Sequence, residues 1–318
     1  MKFTDDMIIS YEAPLSDTED GKCKRAIGMI RDALKGLGYE DGSAGITRSY
    51  ADIYDYSLTM RNKETSAEIR LFIQGSYANN TNVRQESDVD VAVILESTFM
   101  ADYPANVTRD TYGFTAGSMN VITFKDKVEQ ALKTYFLTGV ERKNKSIKIN
   151  GNSSRVDADT VPAMRNKDFR NDTYLRQSSV NGIYIRADDG TTVVNYPEQH
   201  IVNGRIKNND TNYYFKKMVR VLKKMRYIMQ NEGHKSADNI SSFALESLLW
   251  NIPNSIYLDY SKYSHSYMFG LLMDYVLKNF VSFNVYKEAN GIKPLFQTGN
   301  DAENMKSFIR ELIVFYEY

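Results

Sequence analysis

Asp88 and Asp90 are the side chains best placed to hold a cation. They open the run Val89 to Leu95, which is short and rich in Val and Ile and so reads as a buried strand. Side chains alternate along a strand, so both carboxylates point to one face. Two carboxylates side by side repel, and burying them is costly unless something positive sits between them. A divalent cation does this, and magnesium acts through one or two carboxylates together with nucleotide phosphate oxygens. Gly75 and Ser76 lie a little upstream, directly after the apolar run Leu71-Phe72-Ile73. A glycine lets backbone come close to a ligand, and a hydroxyl can bond to it. Alone, Asp-x-Asp is commonly a solvated strand end and Gly-Ser an ordinary turn. Together, each beside a strand, they are far more specific.

Two further carboxylates lie downstream on a second strand signal. Asp157 and Asp159 share a face of the strand signal Arg155-Val-Asp-Ala-Asp-Thr-Val-Pro162. Phosphoryl chemistry also asks for cations along the phosphates. The stretch Tyr213 to Met229 supplies Lys216, Lys217, Arg220, Lys223, Lys224 and Arg226, though most such runs are solvated faces. Ser242-Phe243 follows at the start of another apolar helix signal.

Around these residues the pattern is mixed. Ser16 to Lys35 has Ser16 or Asp17 to cap it, acids in its first turn and an apolar helical face, and Gly36 and Gly38 stop it. Ala44 to Asn62 reads as a weaker helix, 99–117 as a surface loop and Asn120 to Val140 as a helix. Lys143 to Asn150 alternates like a strand, Asn150-Gly151 reads as a tight turn, and a further strand begins at Ser153. Asn181 to Arg186 and Thr191 to Val194 read as a hairpin. Tyr196 to Gly204 breaks the pattern. Beyond Thr211, capped by Asp210 or Thr211 itself, all signals are helical: Ser242 to Trp250, Tyr267 to Asn279 and Ala302 to Tyr316 follow. The expected domains are therefore 1–195, a mixed sheet with N-terminal helices, and 196–318, all helical.

Length and composition bound the class. The 318 residues allow one large domain or two modest ones. Forty basic residues balance forty acidic ones, so no global charge advertises constitutive nucleic-acid binding. Cys23 is the single cysteine, which excludes an intramolecular disulfide and a Cys-based zinc cluster. It reads as a small buried hydrophobe. His200, His234 and His265 suggest no shared site, and Trp250 reads as core. The N-terminus carries acids where a secretory signal needs basic and apolar residues, and no apolar run is long enough to span a bilayer. A cytoplasmic protein with no membrane partner is expected.

Gly75-Ser76 followed by Asp88-x-Asp90 resembles the signature of the DNA polymerase β-like nucleotidyltransferases. Asp159-x-x-Pro162 resembles the third-aspartate segment of the oligoadenylate synthetases and cyclic GMP-AMP synthase-like enzymes. Arg220-Val-Leu-Lys223 and Ser242-Phe243 resemble two further motifs of the same enzymes. The likeness runs over about residues 15 to 318 and is greatest to the bacterial CD-NTases, the relatives of cyclic GMP-AMP synthase that act in anti-phage signalling (CBASS). The resemblance implies an α+β fold: a polymerase β-like core with a twisted mixed sheet, a C-terminal helical lobe and an active site in the cleft between them. It implies that Asp88, Asp90 and Asp159 hold two magnesium ions (Mg2+, with Mn2+ able to replace it) and that Asp159 assists the attacking hydroxyl. Gly75, Ser76, Lys223 and Ser242 are then expected to contact phosphate and Phe243 a base, while Asp157 is read as paired to a nearby Lys or Arg. The implied product is a cyclic di- or trinucleotide, made from nucleoside triphosphates with loss of pyrophosphate and read by a downstream effector. A regulatory protein would fit the same scheme. The alternative is a template-free linear oligonucleotide synthase, or transfer to another acceptor. Asn80 stands where many members have Gly, and there is no Cys/His zinc insertion, which argues against activation by DNA.

Overall fold

The computed structural model describes residues 3–83, 88–117, 119–173, 178–260 and 264–317. The chain forms two compact units. One comprises Ser16–Ala78 and Asp88–Glu198, the other Met1–Leu15, Asn79–Ser87 and Gln199–Tyr318. The chain thus leaves the first unit after Ala78 and returns to it at Asp88.

Two helices come first, α1 (Asp5–Tyr11) and α2 (Asp17–Lys35). Ser16 starts α2 with a reciprocal cap: its hydroxyl accepts from the Glu19 N–H, and the Glu19 carboxylate accepts from the Ser16 N–H at 2.8 Å. Such caps contribute about 1 kcal/mol. Strands β1 (Tyr39–Asp41), β2 (Thr47–Arg48), β3 (Tyr56–Asn62) and β4 (Glu68–Gln74) follow. The helix expected over 44–62 is therefore replaced by strands. In β3 the buried residues are Tyr56, Leu58, Met60 and Asn62, a period of two that a helical reading overlooks.

A single turn, α3 (Gly75–Ala78), ends β4, and β5 (Val89–Asp102) is fourteen residues long. It continues past Leu95 through a register irregularity before Phe99, so residues 99–102 are strand rather than loop. Then come α4 (Val121–Phe136), β6 (Val140–Arg142), β7 (Ile147–Ile149), β8 (Ala158–Asp168), β9 (Val180–Arg186) and β10 (Thr192–Asn195). The strand expected from Ser153 starts only at Ala158. Before it, Asn152 Oδ1 accepts from the N–H groups of Ser154 and Arg155, and this closes a turn.

Among the described residues ten strands make one sheet, with the path β1-β3-β4-β5-β8-β7-β6; β2 flanks β3, and β9 links β8 to β10. The β5–β8 pair is parallel and the others antiparallel. Helices α2 and α4 pack together and against β4, β5 and β8. Val91, Ala92, Val93 and Ile94 are fully buried, in keeping with their continuous apolar run. Within β8, Arg165 is 3% exposed and bidentate to Glu96, with Glu198 as a second partner.

The second unit is built from α5 (Pro197–Asp210), α6 (Tyr214–Asn231), α7 (Ser242–Trp250), α8 (Asn254–Tyr260), α9 (His265–Lys278) and α10 (Gly299–Glu317). The expected break at Tyr196 to Gly204 is instead a helix start, because Pro197 takes the first helical position, where its ring is tolerated and its missing N–H costs nothing. The start of α6 falls at Tyr213, in a left-handed conformation. Thr211 does not cap it but accepts from the Phe215 N–H and donates to the Lys207 carbonyl. Phe215, Met218, Leu222, Met268, Phe308 and Leu312 belong to one apolar cluster, which Phe3 and Ile8 join. Phe3 stacks on Tyr316 at 5.9 Å, and Asp5 accepts from the Ser266 N–H at 2.8 Å. Residues 3–15 thus belong with the C-terminal helices, whereas the sequence reading ran them with the sheet. Among the described residues no helix is long and apolar enough to cross a membrane.

Candidate active site

The strand register builds the site. Asp90 lies opposite Gln74 on β4 and opposite Asp159 on β8, and Asp159 lies opposite Lys148 on β7. Side chains at paired positions share a face, so four strands present Gln74, Asp90, Asp159 and Lys148 as a row. Asp88 immediately precedes β5, where the Val89 N–H donates to the Asp157 carbonyl at 3.0 Å and starts the parallel ladder. Val89, between the two aspartates, is fully buried on the other face.

Burial and neighbouring negative charge raise two of the carboxylates. Burial, then Asp159 and then Asp88 push Asp90 up to about 7. Burial and repulsion from Asp88 raise Asp159 too, against the opposing pull of a Ser146 hydroxyl 3.2 Å from its Oδ1. Asp157 behaves differently. The Gly151 N–H donates to it at 2.5 Å and the Lys148 ammonium stands 3.0 Å away, and these contacts hold its carboxyl below the usual range. Its expected pairing to a basic neighbour is therefore present.

Gly75 takes φ +69°, and a Cβ there would stand 2.5 Å from Asp90 Oδ2. Only glycine lets the turn lie directly against the carboxylate. Ser76 is half-buried in the same single turn. Gly75, Ser76, Asp88, Asp90 and Asp159 thus belong to the sheet unit, at the ends of β4, β5 and β8.

Lys223, Ser242 and Phe243 belong to the helical unit. Lys223 is 2% exposed. Its ammonium donates to the Thr81 carbonyl and hydroxyl, each at 3.1 Å, and pairs with Glu246 at 2.7 Å. Glu246 also accepts from the Thr81 hydroxyl at 2.7 Å and meets His200 Nε2 at 2.8 Å, and His200 Nδ1 lies 3.2 Å from Asn79. Burial alone would raise Glu246, but Lys223 and His200 outweigh it and hold the carboxyl far below its ordinary range. Arg220 donates to the carbonyls of Glu12 and Asn80. Two cations of the basic helix are thus directed at protein oxygens. Ser242 is half-buried at the first position of α7, 3.5 Å from Arg226. Phe243 is 37% exposed, its ring edge-on to His200 at 5.1 Å.

Sequence reasoning missed Lys148, Ser146 and the partnership of His200 with Glu246. A signal existed for the last: Glu246 is the one acid within the apolar run Phe243 to Leu249, where burial demands a partner. Lys148 carried none, because its register to Asp159 depends on where β7 meets β8.

The residues fit a hard divalent cation. The donors are carboxylates without thiolate or imidazole, and the repulsion that raises Asp90 is what such an ion relieves. Among the described residues no three acidic, His or Cys side chains are disposed to hold an ion as they stand. Asp88 Oδ2 is engaged by Lys148 at 3.0 Å.

Two family models match the chain. One describes the cGAS/DncV-like nucleotidyltransferase C-terminal helical domain and covers residues 202–317; the other describes a nucleotidyltransferase domain and covers residues 58–170. The chain is 41% identical over 325 residues to "Cyclic GMP-AMP synthase CdnE03" of Staphylococcus schleiferi, covering 100% of this chain and 98% of that protein. It is 38% identical over 265 residues to "Cyclic dipyrimidine nucleotide synthase CdnE" of Cecembia lonarensis, covering 83% of this chain and 80% of that one. The solved CdnE cyclic dinucleotide synthase of Elizabethkingia meningoseptica, with GTP and Apcpp, superposes with a TM-score of 0.75 at 30% identity, covering 99% of this chain and 100% of that one.

Proposed function

The chain belongs to the CD-NTases, the cGAS/DncV-like nucleotidyltransferases of the polymerase β-like superfamily, and from this we propose that it joins nucleoside triphosphates into a cyclic di- or trinucleotide. The observation that carries the reading is the register of Asp90 with Asp159, with Gly75 packed against the Asp90 carboxylate. Enzymes of this family generally use divalent metal ions. Asp88, Asp90 and Asp159 would hold two magnesium ions, which when bound stabilise the attacking and leaving oxygens of an in-line displacement.

The chain's own groups do the rest. Gly75 lets the turn approach the triphosphate, and the Ser76 hydroxyl donates to a phosphate oxygen. A ribose hydroxyl attacks an α-phosphorus: the new O–P bond forms, the bond to the β-phosphate bridge breaks, and pyrophosphate leaves with that electron pair. Asp159 is assigned the hydroxyl proton. The linear product turns so that its own triphosphate becomes the next electrophile, and a final displacement closes the ring with loss of another pyrophosphate. Ser242 is assigned a phosphate contact and Phe243 a base face, which its exposure permits. Lys223 could reach phosphate only by leaving Glu246, and breaking a buried pair costs roughly 3–5 kcal/mol. Its part is therefore to fix Thr81, in the segment that runs from Ser76 toward Asp88. The cyclic product acts as a signal for an effector in anti-phage defence.

The test is incubation with four labelled nucleoside triphosphates and magnesium, with products resolved before and after phosphatase. A phosphatase-resistant product with pyrophosphate release is expected. A phosphatase-sensitive ladder would replace the cyclising reading with a linear synthase.

A further inference from the structure

Lys148 has no part in the reaction described above, yet it lies among its carboxylates. Its ammonium stands 3.0 Å from Asp88 Oδ2 and 3.0 Å from Asp157 Oδ2, so it bridges one proposed ion ligand and one acid outside the ligand set. Its position is built. The turn of the β6–β7 hairpin is held by Lys125, 1% exposed, which donates to the carbonyls of Lys143 and Asn144 at 2.8 Å each. Arg142, on β6, is tied to Asp126, Glu129 and Asp188. From the same hairpin Ser146 reaches Asp159. Asp157 is in turn held by the Gly151 N–H, in a place that does not depend on Lys148.

We propose that Lys148 is a positioning residue, an internal counter-ion that occupies Asp88 in the ion-free enzyme and withdraws to Asp157 when a divalent cation takes Asp88. This rests on the reading that Asp88, Asp90 and Asp159 hold the cation. Asp88, Asp90, Asp157 and Asp159 crowd one end of the β5–β8 pair, and without a positive group between them they repel. Lys148 neutralises part of that charge while no ion is bound. Because Asp157 remains as a partner, moving off Asp88 leaves no unpaired ammonium. The exchange makes cation binding weaker than bare carboxylates would give, so that the ligands close around an ion only when it arrives with its nucleotide.

The experiment is a manganese(II) titration, followed by the electron paramagnetic resonance of free ion, on the full chain and on Lys148→Met, Asp157→Asn, the double variant and Asp90→Asn. Lys148→Met should tighten binding about two- to fivefold, the scale of one partly exposed ion pair. Asp157→Asn should weaken it, because Lys148 then has only Asp88. In the double variant the Asp157 substitution should have no further effect, since its influence passes through Lys148. In EDTA, Lys148→Met should melt at a lower temperature than the parent and gain more on adding manganese. Unchanged or weaker binding in Lys148→Met overturns the proposal. So does an Asp157→Asn effect that persists undiminished in the Lys148→Met background, which would mark a general field rather than an exchange. If Asp90→Asn binds manganese as well as the parent, the underlying site assignment fails and the proposal with it. Lost binding in Asp90→Asn with a neutral Lys148→Met would reject the exchange alone.

Discussion

Asp90 faces Asp159 across the parallel β5–β8 pair, and burial together with that neighbour pushes the Asp90 carboxyl up to about 7. The sheet therefore carries an electrostatic strain at the end where chemistry is proposed. Asp90→Asn removes one of the repelling charges. Synthesis should fall to background, while thermal unfolding in EDTA should occur at the same or a higher temperature. Substantial synthesis in magnesium would reject the assignment of Asp90.

The same strain sets a pH dependence. The native value of Asp90 lies above its ordinary value of 3.8, so between the two the folded protein holds more protons than the unfolded one. This group's contribution to stability is greatest below about 4, falls as pH rises and is gone above about 7. Asp90→Asn should flatten the profile over that window. Cation binding requires the deprotonated carboxylate, so manganese affinity should increase as pH rises through about 7, which calorimetry can read. A pH-independent affinity would contradict the raised Asp90.

Gly75 tolerates no side chain. Alanine there would meet Asp90 Oδ2 at 2.5 Å in a backbone conformation with φ +69°. Gly75→Ala should destabilise the protein by about 1–3 kcal/mol and displace Asp90, so that synthesis drops by more than about tenfold. Chemical denaturation and product assay measure the two effects. Parent-like synthesis would show that the turn is free to move.

Ser76→Ala removes a donor without changing the fold of the turn. Triphosphate binding should weaken by about 1–3 kcal/mol, the range for a hydrogen bond to a charged group. Equilibrium binding of a non-hydrolysable triphosphate gives the answer, and an unchanged affinity would place the phosphates elsewhere.

In the helical unit, Glu246→Ala leaves Lys223 buried and unpaired and should cost roughly 3–5 kcal/mol. Exchanging both partners, Lys223→Met with Glu246→Leu, should restore much of that stability, because no buried charge is left alone. Urea unfolding of the parent, of Glu246→Ala and of the double variant makes the comparison. If the double variant is no more stable than Glu246→Ala, the pair is not the source of the loss.

Much of the candidate site was legible because it depends on local pattern. Gly75-Ser76 and Asp88-x-Asp90 each abut a strand, and alternation alone puts the aspartates on one face. The neighbourhood of β5 and β8 followed only from the resemblance, since no local rule states which strands pair. The strand β3 was misread because its large aliphatic and aromatic residues also fit a helical count, and only its pairing with β1 and β4 settles the period. Pro197 looked like a break and is a helix start. The ion pair of Lys223 with Glu246 joins residues 23 positions apart on different helices, a relation set by packing rather than by either segment.

The connection between Ala78 and Asp88 has a consequence for dissecting the enzyme. Because Asn79–Ser87 belongs to the helical unit while the residues on either side belong to the sheet, the nucleotidyltransferase signature is stitched through both. A fragment ending at Glu198 would contain every proposed metal ligand and still lose Lys223, Glu246, His200 and Arg220, the groups that hold Asn79, Asn80 and Thr81. Asn79, Asn80 and Thr81 would then be without those partners, and the signature would be present in composition but not in shape. Swapping helical thirds between relatives would need residues 79–87 to travel with the graft, as one non-contiguous cassette.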